Sequence, residues 1–302
     1  MFLVIGGTGL LGGKIVELLR RQVPVRVLTR RPGDRHREGV EYVPGDLRDA
    51  DSVRKAVRGV DAVVCTAHGG GGSGADGPRH LEGTALPRLV EAAGGVRQFV
   101  YVSAVSARPD SPAELFRLKA GVERALRDTR STYAVVRATH LLDTWAGMLA
   151  RPLVAKGQAM ILGGGRNPVS WVAADDIAKA ATTLVLRDGT HRLDLGGPQT
   201  HTLRDLNGML AAALGVTVRS TMRMPAGALR AASVLMRPFA EVPARQMRLG
   251  ALLDTLPQVV DSTAAWEMLD ITPASAPGWL SAHAGTLRQQ ADGSVSTAAE
   301  VN

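Results

Sequence analysis

Three glycines spaced three residues apart, Gly6, Gly9 and Gly12, stand between a short apolar run and a helical pattern at the start of the 302-residue chain. The segment reads Gly6-Gly7-Thr8-Gly9-Leu10-Leu11-Gly12; Phe2-Leu3-Val4-Ile5 precede it, and Leu11, Ile15, Leu18 and Leu19 follow at helical spacing. Gly6 permits a tight turn, Gly9 lets the backbone approach a pyrophosphate, and Gly12 allows close packing of helix on strand. The helix that starts near Leu10 presents free N–H groups and the positive end of its dipole. Its place directly after a strand and before an amphipathic helix makes this turn more specific than a bare glycine pattern, and it predicts a dinucleotide site.

The first half continues in the same rhythm. Apolar strands are predicted over 2–5, 25–28, 40–43, 62–65, 99–102 and 133–136, with helices over 10–21, 51–57, 80–93 and 112–127. Continuously apolar strands separated by helices imply a parallel sheet covered on both faces, and right-handed crossovers then favour a doubly wound α/β Rossmann arrangement. After Leu141 the rhythm loosens: a helix over 141–155, a strand over 159–162, a glycine turn at Gly163-Gly164-Gly165, a strand over 168–171, a helix over 175–186 and a strand over 191–194. From Leu203 the pattern is helical, with one short strand over 216–218. The expected organisation is an NAD(P)-binding Rossmann domain over 1–196, of which 155–170 contributes to a second lobe, a small helical substrate lobe over 197–288, and a disordered tail over 289–302.

A formal charge of +8 raises the question of polyanion binding. The excess is arginine scattered along the chain, lysine occurring only at Lys14, Lys55, Lys119, Lys156 and Lys179, and aromatics are few at 4%. With no basic run and no stacking platform, a nucleic-acid partner is not expected. The single cysteine, Cys65, points to a reducing compartment, and no apolar run reaches the ~20 residues of a membrane span. With no leader segment recognised, the expectation is a cytoplasmic protein without membrane partners, as a monomer or homodimer. Asp175-Asp176 reads as a helix cap and dipole partner, and no metal site is expected.

At the end of the second strand, where an acid often meets the ribose of NAD, this chain has Thr29-Arg30-Arg31-Pro32. An arginine there can pair with a 2′-phosphate and stack on adenine, so NADPH is expected in preference to NADH.

With these residues in place the chain resembles the atypical short-chain dehydrogenase/reductases, in the NmrA-like and isoflavone-reductase-like branch. The matching elements are Gly6 to Gly12, Leu28-Thr29-Arg30-Arg31-Pro32, Gly45-Asp46-Leu47, Phe99-Val100-Tyr101-Val102-Ser103, Lys119 with Glu123, and Tyr133-Ala134-Val135-Val136-Arg137. They cover 1–196, with a weaker echo to about 284. The resemblance implies that Asp46 and Leu47 lie at the adenine, that Thr66 and Ala67 line the path to the nicotinamide ribose, and that His68, Ser103 and Lys119 adjoin the cofactor. Asp46 is equally suited to a turn after Gly45.

The resemblance also exposes a gap. Most members of the wider superfamily place a tyrosine four residues before the lysine as acid or base; here that position is Leu115, and Ala104 and Val105 follow Ser103 where a serine is expected nearby. Lys119 is open between two roles, a proton donor with a pKa lowered by burial and a structural ligand of the ribose. His68, before Gly69-Gly70-Gly71-Gly72-Ser73-Gly74, and His140, after the sixth strand, are further candidate acids. The glycine-rich loop has the composition of a mobile lid. Leu141, Leu142, Trp145, Met148, Met222, Met224 and Leu229 are available to line an apolar pocket. The expected activity is an NADPH-dependent reductase of a small apolar metabolite such as a quinone, enone or polyphenol. The alternatives are a non-catalytic NADP(H)-binding regulator or scaffold, and a non-redox enzyme reusing the cofactor pocket.

Overall fold

The computed structural model describes residues 1–33, 35–256 and 258–293. In chain order the elements that build the main body are β1 (Phe2–Ile5), α1 (Leu10–Leu19), β2 (Val25–Thr29), β3 (Val40–Pro44), α2 (Ala50–Val57) and β4 (Ala62–Cys65). A helical stretch follows as α3 (Pro78–His80), a π-helical turn (Leu81–Ala85) and α4 (Leu86–Ala92), then β5 (Gln98–Ala104), α5 (Glu114–Arg127) and β6 (Thr132–Ala138). The chain then makes α6 (Leu142–Lys156), β7 (Gln158–Leu162), β8 (Pro168–Val169), α7 (Ala174–Leu186), β9 (His191–Leu195), β10 (His201–Thr202), α8 (Leu203–Leu214), β11 (Ser220–Met224), α9 (Ala226–Met236), α10 (Glu241–Leu252), α11 (Thr263–Leu269) and α12 (Ala276–Ala291).

Seven parallel strands form one sheet in the order β3-β2-β1-β4-β5-β6-β9, the doubly wound Rossmann arrangement. Alternate residues of each strand feed opposite cores, as the period of two requires. Val4, Val27, Val64, Val100 and Val136 meet Ile15 and Leu19 of α1 and Ile177 and Leu184 of α7. Leu3, Ile5, Val63, Phe99, Tyr101 and Val135 meet Val53 of α2, Leu86 and Leu89 of α4, and Val122 and Leu126 of α5.

A third core belongs to the lobe: Leu149 and Leu153 of α6, Ile161, Trp171, Leu206 and Leu210 of α8, and Trp279 and Leu280 of α12. Thus α6 packs in the lobe while α7 and β9 return to the sheet, and Trp266 and Leu269 of α11 also pack on the main body. The strand expected over 216–218 lies instead at β11, paired in parallel with β7 from Ser220↔Gln158 to Met224↔Leu162. Gly157, left-handed at φ 60°, ends α6, and its carbonyl accepts from Arg219 and Ser220, which fixes that register. The tail expected from 289 begins helical, since α12 runs to Ala291; 294–302 lie outside the described residues. Among the described residues no helix is long and apolar enough to cross a membrane.

Candidate cofactor and active site

The glycine turn has the shape its sequence requires. Gly6 is left-handed (φ 80°), and a Cβ there would stand 2.6 Å from Thr66 Oγ1 and 2.8 Å from the Ala67 nitrogen. A Cβ at Gly12 would overlap the Gly6 carbonyl oxygen, which already accepts from Gly9 N at 3.0 Å. Gly9 caps α1 without a side-chain hydrogen bond, and the first turn holds no acid, so the N–H groups of Leu10, Leu11 and Gly12 have no intrahelical acceptor. This cradle fits a pyrophosphate. Thr66 and Ala67 press against it from the end of β4, with Thr66 N donating to Ile5 O at 2.9 Å.

Arg30, at the end of β2, donates to Asp76 Oδ1 at 2.6 Å. Arg48, just beyond β3, lies 3.1 Å from the same oxygen and is gripped from its other edge by Asp46, whose Oδ1 accepts from Arg48 Nε at 2.9 Å. The Arg48 guanidinium holds the Asp46 carboxyl below its usual range, against the pull of partial burial. Asp46 also accepts from the Arg48 backbone N–H at 2.9 Å, the turn role foreseen for it. Arg31 is exposed, and Leu47 is partly buried against the sheet's second core.

At the other end, Lys119 of α5 is buried to 7% exposure, with Nζ 3.3 Å from Tyr101 Oη, 3.4 Å from the Val102 carbonyl and 5.1 Å from the Tyr101 ring centre. Burial lowers the Lys119 pKa; the nearby carboxylates of Glu82 and Glu123 and the Cys65 thiol act the other way. Burial raises the Tyr101 hydroxyl well above its usual value and pushes the Cys65 thiol up to about 12, so Cys65 is no nucleophile at neutral pH. Leu115 is buried at the tyrosine's expected place, beneath the glycine-rich loop: its Cδ2 lies 3.6 Å from where a Gly70 Cβ would stand.

His68 is exposed, its Nδ1 accepting from Gly70 N at 3.2 Å, which leaves the proton of the neutral ring on Nε2. The surrounding protein, and then the Lys119 ammonium, lower its pKa. Glu82, buried in the π-helical turn, accepts from Gly69 N at 3.0 and 3.1 Å and so pins the start of the loop. Burial raises its pKa. Such π-turns recur at functional sites.

Other expected residues are placed differently. The Ser103 hydroxyl donates to Glu123 Oε1 at 2.6 Å and the same carboxylate accepts from Arg137 Nε at 3.1 Å, a buried network that commits Ser103 to the scaffold. Ser106, beyond β5, accepts from Gln258 of the lobe at 2.7 Å. His140 lies between Trp145 and Trp171, ring centres 5.2 and 5.6 Å away, and its buried Nε2 has no partner among the described residues. Leu142 and Leu229 are core residues, Met222 and Met224 lean on the lobe core, and Met148 is exposed. Asp175 and Asp176 stand in the first turn of α7, where the helix dipole favours them, but the N-cap itself is Ala173. Asp175 takes Lys14 at 2.8 Å, while buried Asp176 accepts from Ala274 N at 2.8 Å and ties α12's approach to α7. A groove of about 370 Å³ opens between α4 and α5, lined by Pro87, Leu118 and Arg124 among others; it takes no residue from the strand ends and is not the cofactor site.

Glu82, Arg48 and Asp76 escaped the sequence reading, and Tyr101 entered it only within the motif over 99–103. Tyr101 sits in an apolar strand and looks like core; Glu82 and Asp76 gain meaning through partners distant in the chain, and Arg48 through its neighbour Asp46 together with the distant Asp76.

A family model described as NAD(P)H-binding matches residues 6–188. An NAD(P)H azoreductase of Xenophilus azovorans is 28% identical over 226 residues, covering 72% of this chain and 76% of the relative. A (4-alkanoyl-5-oxo-2,5-dihydrofuran-3-yl)methyl phosphate reductase of Streptomyces griseus is 28% identical over 275 residues, covering 87% and 93%. In fold the chain is similar to an NADPH-dependent quinone oxidoreductase from Escherichia coli solved with NADPH, at TM-score 0.75 and 21% identity over 95% of this chain and 99% of the other. The glycine turn and most of the sheet that carries it fall within the matched residues, and this chain belongs to the NAD(P)H-binding family.

Proposed function

We propose that the chain is an NADPH-dependent reductase of a small, largely apolar acceptor such as a quinone, enone or polyphenol, with Lys119 as proton donor. The carrying observation is the buried Lys119 ammonium, 3.3 Å from Tyr101 Oη at the carboxyl end of the sheet, where open α/β folds hold their ligands. The uncapped start of α1 would hold the pyrophosphate, Arg30 the 2′-phosphate, and Thr66 and Ala67 the approach to the ribose. Bound there, reduced nicotinamide supplies a hydride. Lys119 supplies the proton that balances it, passing from Nζ to the reduced acceptor; its lowered pKa eases that release. Two reductases among the relatives support the same class of reaction.

NADPH oxidation with a panel of quinones and enones tests this. Lys119→Met should lower kcat by about a hundredfold while weakening NADPH binding much less. An unchanged kcat would remove Lys119 from the chemistry.

A second reading has one observation in its favour: Leu115 offers no exchangeable proton at the usual tyrosine position. On that reading the chain is a non-catalytic NADP(H)-binding regulator. Tight NADPH binding with no turnover on any acceptor would favour it.

A further inference from the structure

The loop between β4 and α3 leaves the sheet at Thr66, beside the glycine turn, yet Asp76 near its far end reaches the tips of β2 and β3. In the order β3-β2-β1-β4 this carries the loop across the carboxyl end of β1, in front of the turn that holds the pyrophosphate. There one carboxylate oxygen serves two guanidinium groups, Arg30 Nη1 at 2.6 Å and Arg48 Nη1 at 3.1 Å. Asp46 holds Arg48 by its opposite edge, so this guanidinium is oriented and not a freely swinging side chain. An anion bridging two arginines at the tips of β2 and β3, one of them held in orientation, has the charge and hydrogen-bonding geometry of a phosphate monoester oxygen.

Resting on the NADPH reading above, we infer that Arg48 is a second ligand of the cofactor's 2′-phosphate and that Asp76 is its internal competitor, the residue that sets the discrimination between NADPH and NADH. The 2′-phosphate must displace the Asp76 carboxylate from Arg30 and Arg48; a 2′-hydroxyl, carrying no charge, has no such exchange to make. The strap is also tied to the lobe: Gly74 N donates to Glu241 Oε2 of α10 at 3.0 Å, and Arg245 of α10 donates to the Gly72 carbonyl. Displacing Asp76 thus frees the adenosine end of a segment whose middle remains held by the lobe.

Binding of adenosine 2′,5′-bisphosphate and 5′-AMP, and of NADP⁺ and NAD⁺, measured by calorimetry on the full chain, tests the inference. Asp76→Asn should tighten the two 2′-phosphorylated ligands about two- to fivefold, the scale of an exposed ion pair, and change 5′-AMP and NAD⁺ by less than that. Arg48→Ala should weaken the 2′-phosphorylated ligands roughly tenfold and reduce the gain from Asp76→Asn in the double variant, where only the Arg30 pair is left to release. If Arg30→Ala selectively weakens 2′-phosphorylated ligands while Asp76→Asn and Arg48→Ala leave them unchanged, the inference falls and the NADPH reading stands. If Arg30→Ala, Arg48→Ala and Asp76→Asn all treat phosphorylated and unphosphorylated ligands alike, both fall.

Discussion

Lys119 and His140 show how position in the fold, more than residue type, decides what a titratable group can do. Lys119 is buried and His140 Nε2 is shielded from water, but Lys119 has Tyr101 and the Val102 carbonyl for company while His140 Nε2 has no partner among the described residues. Burial pushes the His140 pKa down to about 4 from an ordinary 6.5, so the folded protein keeps the ring neutral where the unfolded chain would protonate it. This contribution to stability is complete above pH 6.5 and is lost as pH falls toward 4. The loss is on the order of 3 kcal/mol at the acid end. In urea titrations between pH 7 and 4, His140→Phe should therefore flatten the acid decline; an unaltered slope would show that His140 titrates normally. The sequence marked His140 as a candidate acid because of its place after a strand. Only the flanking Trp145 and Trp171 show it as part of an aromatic cluster, and those contacts are made by the fold.

The elements divide into those specified locally and those specified by pairing. The glycine turn, α1 and the strands of the main sheet were legible because each carries its own signal, an apolar run, a helical spacing or a forced glycine at Gly6 and Gly12. β11 was not, because Val216 and Val218 have the better strand chemistry while Ser220–Met224 has the partner in β7. Ser103 stands one residue before the end of β5, and its hydroxyl goes to Glu123, twenty residues on, while Arg137 of β6 completes the triad. That buried cluster joins α5 to two strands directly beneath Lys119. Glu123→Gln leaves the Arg137 guanidinium without its buried counter-charge and should cost about 3 kcal/mol in urea unfolding, since breaking one side of a buried pair strands the other. A loss under 1 kcal/mol would mean that Asp194, 3.4 Å from Arg137, suffices alone.

At the scale of the molecule, the glycine turn rises from the main sheet, and the lobe is tied to the segments that follow the sheet's strands, through Gln258 on Ser106 beyond β5 and through α10 on the glycine-rich loop after β4. The family and the parallel sheet could be read from the first half of the chain; the coupling of lobe to cradle could not, since Glu241 and Gly74 are 167 residues apart. On the proposed function both parts would be needed: the sheet would bind the dinucleotide and the lobe would close the space where an acceptor meets Lys119. The most direct test is a single-turnover experiment in which the protein, loaded with NADPH, is mixed with quinone and enone acceptors and the nicotinamide absorbance is followed. The account predicts stoichiometric oxidation of bound NADPH, slowed about a hundredfold in Lys119→Met and faster at pH values where the lysine keeps its proton. Bound NADPH that stays reduced with every acceptor, or oxidation at the same rate in Lys119→Met, would contradict it.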